Sequence, residues 1–354
     1  ADQRQLVEIM KTLASEGQIL IFDEPTSALD RQQVERFFQI LRQLKEEGRS
    51  IVFISHRMDE IFEIGDRVTV IRDGETIATS SLAETSPEEV VRQMVGMSLE
   101  TTDVKTNRLL DDKAQKPFLS ARDLGGDGFK GISLDLFPGE ILGLGGLHGQ
   151  GQSALLQALF GLAPITDGEI LLNGEGFIPG QPRHAIRQGL AYISGDRRQD
   201  GILQERPILE NASPVHAFRN RLFLANPGPL KDAIRPALEA LKTKFSRFSS
   251  PIGSLSGGNQ QKVVIARWLT EKPDILLLND PSKGIDLAAK NDLFSLIRSL
   301  AEEGMSIILY SSEDSELLSY ADRILVFNNG AITRELSGED CTRYNLYQAA
   351  YEAA

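Results

Sequence analysis

The chain has 354 residues, enough for about two domains, and its 41% apolar and 25% charged residues are usual for soluble globular proteins. A formal net charge of −12 argues against nucleic acid as a partner, because such binding rests on Lys and Arg neutralising phosphates. Cys341 is the single cysteine, which excludes a disulfide framework and a cysteine-based metal site. No run approaches the roughly 18 apolar residues of a membrane-spanning helix, so any membrane role is predicted to be peripheral.

The first hundred residues alternate strand-like and helix-like segments, which indicates an α/β fold with a helix-covered parallel sheet. The predicted elements are a helix over 3–13, a strand over 18–22, a helix over 31–47 ended by Gly48, a buried strand over 50–55, and a strand over 68–72 turned at Asp73-Gly74. The polar stretch that follows predicts a linker over 98–116, between a first domain at 1–97 and a second at 117–354.

The second domain begins with two strand-like segments, residues 118–124 and 132–136. Residues 139–144 predict a buried strand that runs into a glycine-rich turn and a helix over 154–161. Between residues 196 and 258 the sequence becomes polar, helical and rich in Arg, Pro and Phe. This segment is predicted to form an inserted helical subdomain.

Residues 146–153 have the spacing of a phosphate-binding loop, in which glycines let backbone N–H groups and a helix N-terminus cradle phosphates. The residues predicted to bind ATP are Gly146, His148, Gly149, Gln150, Gly151, Gln152, Ser153 and Ala154. Ser153 stands where its hydroxyl would ligate Mg²⁺. Gln152 replaces the Lys of the pattern, so we expect binding of nucleotide without fast hydrolysis. The alternative is a glycine-rich turn with no ligand.

A duplication relates the two halves of the chain at a constant spacing of 256 residues. Asn279-Asp280-Pro281, after the apolar run 275–278, repeats Asp23-Glu24-Pro25. Further pairs without a gap are Asp30 with Asp286, Gly48 with Gly304, Ser55 with Ser311, Asp66 with Asp322, Arg67 with Arg323 and Gly74 with Gly330. The period is far above the roughly 20–50 residues of solenoid repeats and indicates a duplicated domain.

Several segments together resemble the tandem ATP-binding subunits of bacterial sugar importers of the ATP-binding cassette (ABC) class, the ribose, galactose, xylose and simple-sugar group. They are residues 5–9, 23–30, 139–144 and 255–262, and Ser311-Ser312-Glu313 followed by residues 321–324. The resemblance implies two P-loop nucleotide-binding domains, each with a mostly parallel sheet covered by helices, a helical subdomain and a small antiparallel β part. In that family a signature loop, here Ser256-Gly257-Gly258-Asn259-Gln260, closes over ATP held by a partner cassette, so the cassettes pair head-to-tail.

The resemblance assigns the working chemistry to the first half. Asp23 would hold Mg²⁺, Glu24 would polarise the attacking water, and His56 would contact the terminal phosphate. Glu24 and His56 are therefore the expected catalytic residues. Asp30 and Asp286 are assigned to the D-loops of the two halves.

In the second half the three working positions are Asn279, Asp280 and Ser312. Any one of these changes has an ordinary structural explanation, such as Asn279 ending a strand. Their combination with Gln152 predicts a degenerate second site. One composite site is expected to hydrolyse ATP, and the other at most to bind it.

The chain begins inside the first signature helix, because residues 1–5 align with residues 257–261. We therefore expect it to be an N-terminally truncated part of a longer protein. Asp2 also places a carboxylate where Gly258 stands, which would repel a phosphate. By itself, the chain is expected to bind ATP weakly.

The resemblance also implies the partners and the place of work. The ligands would be ATP and Mg²⁺, and the activity would be that of an ATP hydrolase coupling nucleotide binding and hydrolysis to monosaccharide uptake. The protein would lie peripherally on the cytoplasmic face of the inner membrane, bound to integral-membrane permease subunits. A periplasmic or lipid-anchored binding protein would deliver the sugar.

Two departures leave alternatives open. Many relatives have Arg where this chain has Gln152, and Ser194-Gly195-Asp196-Arg197 replaces a Pro-Glu-Asp-Arg stretch in the loop that senses the permease. The same machinery could import nucleosides or a sugar-like signal. A soluble tandem cassette acting on ribosomes is disfavoured by the short linker, and a non-hydrolysing regulator is disfavoured by Asp23, Glu24 and His56.

Overall fold

A computed structural model describes residues 7, 10–12, 17–23, 25–26, 31–55, 58–72, 75–95, 116–222, 226–283, 285 and 287–351. The chain divides into two compact units, residues 1–100 and 101–354. Most of the helix predicted over 3–13 and of the linker predicted over 98–116 lies outside the described residues. No helix in the described ranges is both long and apolar enough to cross a membrane.

In its described residues the first unit contains a parallel strand pair, an antiparallel hairpin and helices, including helical residues 10–12. Its elements are β1 (Ile19–Asp23), α1 (Arg31–Glu46), β2 (Ser50–Ile54), α2 (Met58–Ile64), β3 (Arg67–Arg72), β4 (Glu75–Ser81) and α3 (Pro87–Val95). Strands β1 and β2 are parallel and β3 pairs antiparallel with β4. The predicted elements over 18–22, 31–47, 50–55 and 68–72 are confirmed to within a residue or two.

One face of the β1–β2 pair carries the core of the first unit. Leu20 and Phe22 are buried, and the Phe22 ring packs edge-on against Phe37 of α1 at 5.3 Å. The other face is exposed, with side chains between 46 and 65% accessible at Ile19, Ile21, Val52 and Ile54. The prediction of a buried strand over 50–55 is therefore wrong for this structure, because packing in the described residues covers only the face toward α1.

In its described residues the second unit contains two sheets and its own set of helices. Its strands are β5 (Leu119–Gly126), β6 (Phe129–Leu136), β7 (Ile141–Gly146), β8 (Ile165–Leu172), β9 (Glu175–Gly176), β10 (Leu190–Ile193), β11 (Ile275–Asn279), β12 (Ser306–Tyr310), β13 (Arg323–Asn328) and β14 (Ala331–Ser337). Its α-helices are α4 (Gln152–Phe160), α5 (Pro182–Arg187), α6 (Ile208–Ala212), α7 (Pro214–Arg219), α8 (Pro227–Ala240), α9 (Gly257–Leu269), α10 (Leu287–Glu302), α11 (Asp314–Tyr320) and α12 (Arg343–Tyr351).

The larger sheet has the order β10-β11-β12-β7-β13-β14 and is parallel except for β14. In the five parallel strands, β7, β10, β11, β12 and β13, every residue is buried except Gly146 at the end of β7. Such burial is expected for parallel strands that are covered on both faces. The smaller sheet, β6-β5-β8-β9, is antiparallel. The predicted α/β class with a small antiparallel part is confirmed. Ligands of such sheets bind beyond the carboxyl ends of the parallel strands.

The segment between residues 196 and 258 is helical, as its composition predicts. It contains α6, α7, α8 and the start of α9, with a π-helix at Arg197–Gly201 and a 3₁₀ turn at Ile252–Ser254. Arg267 of α9 ties these pieces together, since its Nε donates to the Asn211 carbonyl at 2.6 Å and its Nη2 to the Gly201 carbonyl at 2.7 Å. Burial lowers the pKa of Arg267 to about 10. It remains a cation at neutral pH.

The internal duplication is visible in the element boundaries. The elements β1, α1, β2, α2, β3, β4 and α3 reappear 256 residues later as β11, α10, β12, α11, β13, β14 and α12, with the same first and last positions. The irregularity in the β3–β4 ladder after Val70 also recurs after Val326. The two halves are therefore two copies of one structural unit.

Candidate nucleotide-binding site

The glycine-rich loop lies between β7 and α4, where the sequence predicts it. Its glycines have left-handed backbone angles, with φ of 112° at Gly146, 80° at Gly149 and 107° at Gly151. A Cβ at Gly151 would lie 2.6 Å from the Gly128 carbonyl oxygen, so no larger residue fits there. The loop turns the chain directly into the N-terminus of α4, where backbone N–H groups without intrahelical partners can face an anion.

Gln150 anchors this loop to the β13–β14 turn. Its side-chain Oε1 accepts a hydrogen bond from the Asn329 backbone N–H at 2.6 Å, and its carbonyl accepts one from Gly330 at 3.2 Å. The side chain predicted to bind ATP thus holds the loop in place.

The side-chain amide of Gln152, a residue predicted to bind ATP, is directed into its own loop. The side chain is 1% exposed, and its Nε2 donates to the carbonyls of Gly145 and Leu147, both at 3.1 Å. Both amide hydrogens are therefore used by the backbone of the loop itself. These two hydrogen bonds stabilise the shape of the loop. Gln152 therefore has a structural role at the position where the pattern has a lysine that would contact a phosphate.

Ser153 and Asn279 contact each other at the ends of neighbouring elements. The Ser153 hydroxyl donates to Asn279 Oδ1 at 2.8 Å, and Asn279 Nδ2 donates to the Tyr192 hydroxyl at 2.9 Å. Burial raises the pKa of Tyr192, so it stays a neutral phenol. A hydroxyl and a neutral amide oxygen, both already hydrogen-bonded, are a poor donor set for Mg²⁺, which prefers carboxylates. These two residues do not fit the metal role predicted for Ser153.

Asp280 and Ser312 stand at the repeat positions of Glu24 and His56, the predicted catalytic residues of the first half. Asp280 is buried with φ of 53°, and its Oδ1 accepts hydrogen bonds from the Ser312 backbone N–H at 3.1 Å and from the Ser312 hydroxyl at 3.0 Å. The two positions thus satisfy each other.

His148 is joined to the same cluster through Tyr310. Its Nδ1 lies 2.9 Å from the Tyr310 hydroxyl at the end of β12. Burial, followed by the charges of Asp280 and Asp314, raises the pKa of Tyr310 to about 12. Sequence reasoning missed both tyrosines. The signal was available, since Tyr192 and Tyr310 are the tyrosines of the largely apolar strands β10 and β12.

The signature segment begins α9 in the helical subdomain. Ser256 is its N-cap, and its hydroxyl oxygen accepts from Asn259 Nδ2 at 3.0 Å. Asn259 Oδ1 accepts from the Lys244 backbone N–H at 2.8 Å, and Gln260 Nε2 donates to the Leu255 carbonyl at 3.0 Å. These side chains shape the turn and leave Gly257 and Gly258 at the helix N-terminus, where its dipole favours an anion.

In the first unit the structure describes one of the predicted working residues. Asp23 ends β1 and is exposed, with Ile54 as its partner on β2. Glu24, Asp30 and His56 lie outside the described residues, as does Asp286 of the second half. Across the described residues no group of three or more His, Cys, Asp or Glu side chains is arranged to hold a metal ion.

Known structures share the fold. A nucleotide-free ATP-binding cassette from an ABC transporter superposes with a TM-score of 0.56 at 21% identity, covering 64% of this chain and 93% of that one. An ATP-binding subunit of an ABC transporter gives a TM-score of 0.53 at 23% identity, covering 67% and 95%. The fold is that of an ATP-binding cassette.

Sequence relatives identify the family. The ABC transporter family matches residues 129–283. The ribose import ATP-binding protein RbsA of Oceanobacillus iheyensis is 38% identical over 97% of this chain and 69% of its own length, and RbsA 1 of Rhizobium etli is 41% identical over 98% and 68%. The galactose/methyl galactoside import ATP-binding protein MglA of Fusobacterium nucleatum is 36% identical over 93% and 66%. The chain belongs to the family of sugar-import ATP-binding proteins of ABC transporters.

Proposed function

We propose that this protein is the ATP-hydrolysing subunit that drives uptake of a monosaccharide through a membrane permease. Its relatives are named for ribose and for galactose or methyl galactoside import, and the similarity extends over nearly the whole chain. The protein binds ATP and works at the membrane periphery with permease subunits. We place it on the cytoplasmic face, with a periplasmic or lipid-anchored binding protein supplying the sugar.

The proposal includes one working ATP site and one degenerate site. The observation that supports this asymmetry is the closed hydrogen-bond network of the second half. Ser153 is paired with Asn279, Asp280 with Ser312, and Gln152 with its own loop. Groups already satisfied inside the protein are poorly placed to stabilise charge that develops on a transferring phosphoryl group.

Asp23 is the residue that would hold Mg²⁺ in the working site. It is an exposed carboxylate at the carboxyl end of a parallel strand. Carboxylate oxygens are the ligands that Mg²⁺ prefers. The ion would supply neutralisation of phosphate charge. Glu24, directly after it in the sequence, is proposed to orient the attacking water, and His56 to contact the terminal phosphate.

The signature segment of the second half completes the proposal. Ser256, Gly257 and Gly258 form an intact helix N-terminus that suits a phosphate tail. We propose that the cassettes pair head-to-tail, so that this segment closes over the nucleotide served by Asp23, Glu24 and His56. The second composite site would at most bind nucleotide.

The test is steady-state ATPase activity of the natural protein purified with its permease. Glu24→Gln removes the proposed base and should abolish turnover. Asp280→Asn alters the matching position of the second half and should leave turnover near wild type. Equal losses would show that both sites hydrolyse ATP. Uptake of radiolabelled ribose and galactose, with and without each change, tests transport in the same strains.

A further inference from the structure

Each half of the chain buries one glutamate at the same repeat position. Glu60 at the start of α2 is 3% exposed, and Glu316 in α11, 256 residues later, is 6% exposed. Neither residue belongs to the nucleotide site described above. A buried carboxylate is costly unless hydrogen bonds satisfy it, so its partners indicate what it holds.

In the first half Glu60 joins two loops. The Thr26 hydroxyl donates to Glu60 Oε2 at 2.7 Å, and the Ser55 hydroxyl donates to the same oxygen at 3.0 Å. Thr26 follows Glu24 by two residues, and Ser55 directly precedes His56. One carboxylate oxygen therefore ties the segment after β1 to the segment after β2.

The second half repeats this arrangement with small changes. Ser282 and Ser311 donate to Glu316 Oε2 at 2.7 and 2.6 Å. Lys290 of α10 also lies 3.3 Å from Glu316 Oε1, whereas Val34 stands at the matching position of α1. Both halves thus have two hydroxyls that donate to one buried glutamate. Only the second half, in which Asp280 and Ser312 bond to each other, adds a lysine to this arrangement.

A hydrogen bond from a hydroxyl to a carboxylate is stronger than one between neutral groups, and the Thr26 bond is short and buried, whereas the Ser55 bond is longer and part-buried. Two donors that converge on one oxygen fix the separation of the loops that carry them. In the sequence Glu24 precedes Thr26 by two residues and His56 directly follows Ser55, so any change in the separation of Thr26 and Ser55 would be passed on through one or two peptide units. The rate of catalysis depends strongly on such displacements, since misplacing a reacting group by 1 Å can lower the rate roughly 100-fold.

We propose that Glu60 is a positioning residue for ATP hydrolysis. It holds the loop that carries Glu24 in register with the loop that carries His56, through Thr26 and Ser55. Glu316 holds the matching loops of a site that does not turn over. The proposal rests on the single working site proposed above.

The experiment uses matched variants of the natural protein in complex with its permease. Thr26→Val keeps the side-chain shape and removes the hydroxyl, whereas Thr26→Ser keeps the hydroxyl and copies the second half. Ser282→Ala removes the equivalent bond to Glu316. For each variant kcat, KM for ATP and the thermal unfolding midpoint are measured, with Glu24→Gln assayed in parallel.

Thr26→Val is expected to lower kcat by roughly 10- to 100-fold with KM for ATP within about twofold. Thr26→Ser and Ser282→Ala should keep kcat within about twofold, although Thr26→Val and Ser282→Ala lower the unfolding midpoint to similar extents. If Thr26→Val does not fold, Ser55→Ala removes the other donor with a smaller change and carries the same expectation.

Unchanged kcat in the Thr26→Val protein, or equal kcat losses in Thr26→Val and Ser282→Ala, would overturn the positioning role. The parallel variant separates this from failure of the proposed function. Turnover that survives Glu24→Gln would overturn the single working site. Turnover abolished by Glu24→Gln but insensitive to Thr26→Val would overturn the positioning role alone.

Discussion

Asp280 and Ser312 form two hydrogen bonds with each other, both onto Asp280 Oδ1, at 3.1 Å from the backbone N–H and 3.0 Å from the hydroxyl. The two residues follow strands β11 and β12, at the repeat positions of Glu24 and His56 in the first half. The bond is possible because a carboxylate and a short hydroxyl side chain meet there in place of a longer carboxylate and an imidazole. The second half thereby keeps its fold without a free catalytic pair.

Removing the amide of Gln152 should destabilise the second unit. Gln152→Ala leaves the buried Gly145 carbonyl and the part-buried Leu147 carbonyl without the Gln152 donor and opens a cavity, at a cost of about 2–4 kcal/mol. Urea unfolding followed by Trp268, the one tryptophan of the chain, reports on this unit through its contact with Phe160. The exposed Gln188→Ala is the control and should change the free energy of unfolding by less than about 0.5 kcal/mol. Equal losses of unfolding free energy in Gln152→Ala and Gln188→Ala would contradict the stabilising role of the Gln152 amide.

Breaking the buried ion pair at Arg323 should cost more. Arg323 Nε donates to Glu140 Oε1 at 2.6 Å, and desolvation raises the pKa of Glu140 despite this cation. Arg323→Met leaves that carboxyl buried without its partner, which costs about 3–5 kcal/mol. Glu335 is the half-exposed partner of the same arginine, so Glu335→Gln should cost less than about 1 kcal/mol. Trp268 fluorescence during unfolding measures both, and a loss below about 1 kcal/mol for Arg323→Met would refute the prediction.

The phenols of the second unit should resist ionisation at high pH. Burial raises the pKa of Tyr310 and of Tyr347 from 10.0 to about 12. The folded protein therefore holds these protons more tightly than the unfolded chain, which stabilises it fully below pH 10 and progressively less as pH rises through 12. Phenolate absorbance during a rapid pH titration should show a late component that Tyr310→Phe reduces. Tyr344→Phe, at an exposed position, should leave it intact, and a late component untouched by Tyr310→Phe would contradict the burial argument.

Helical periodicity, and glycines that end helices, were enough to predict several elements of the fold from the sequence. The helix over 31–47 was placed correctly because its apolar stripe is clear and Gly48, with φ of 85°, ends it. The same holds for the loop at 146–153, whose glycines are required by their backbone angles. The exposed face of β2 was not predictable, because an apolar strand sequence does not say which of its faces will be covered.

The hydrogen-bond partners of the side chains in the site could not be predicted from the sequence. The pattern located Gln152, Asn279, Asp280 and Ser312, but their hydrogen bonds depend on the register of strands far apart in the chain. Whether an amide points out to a ligand or back to its own loop is a tertiary property. The roles of Glu24 and His56 remain predictions from the sequence pattern.

The stoichiometry of trapped nucleotide is the most direct test of the asymmetric pair of sites. The natural protein with its permease is incubated with Mg²⁺, labelled ATP and vanadate, which traps ADP only where hydrolysis has begun. We predict one trapped ADP per chain, lost in Glu24→Gln. Two trapped ADP per chain, or one that persists in Glu24→Gln, would contradict a single working site served by the first half.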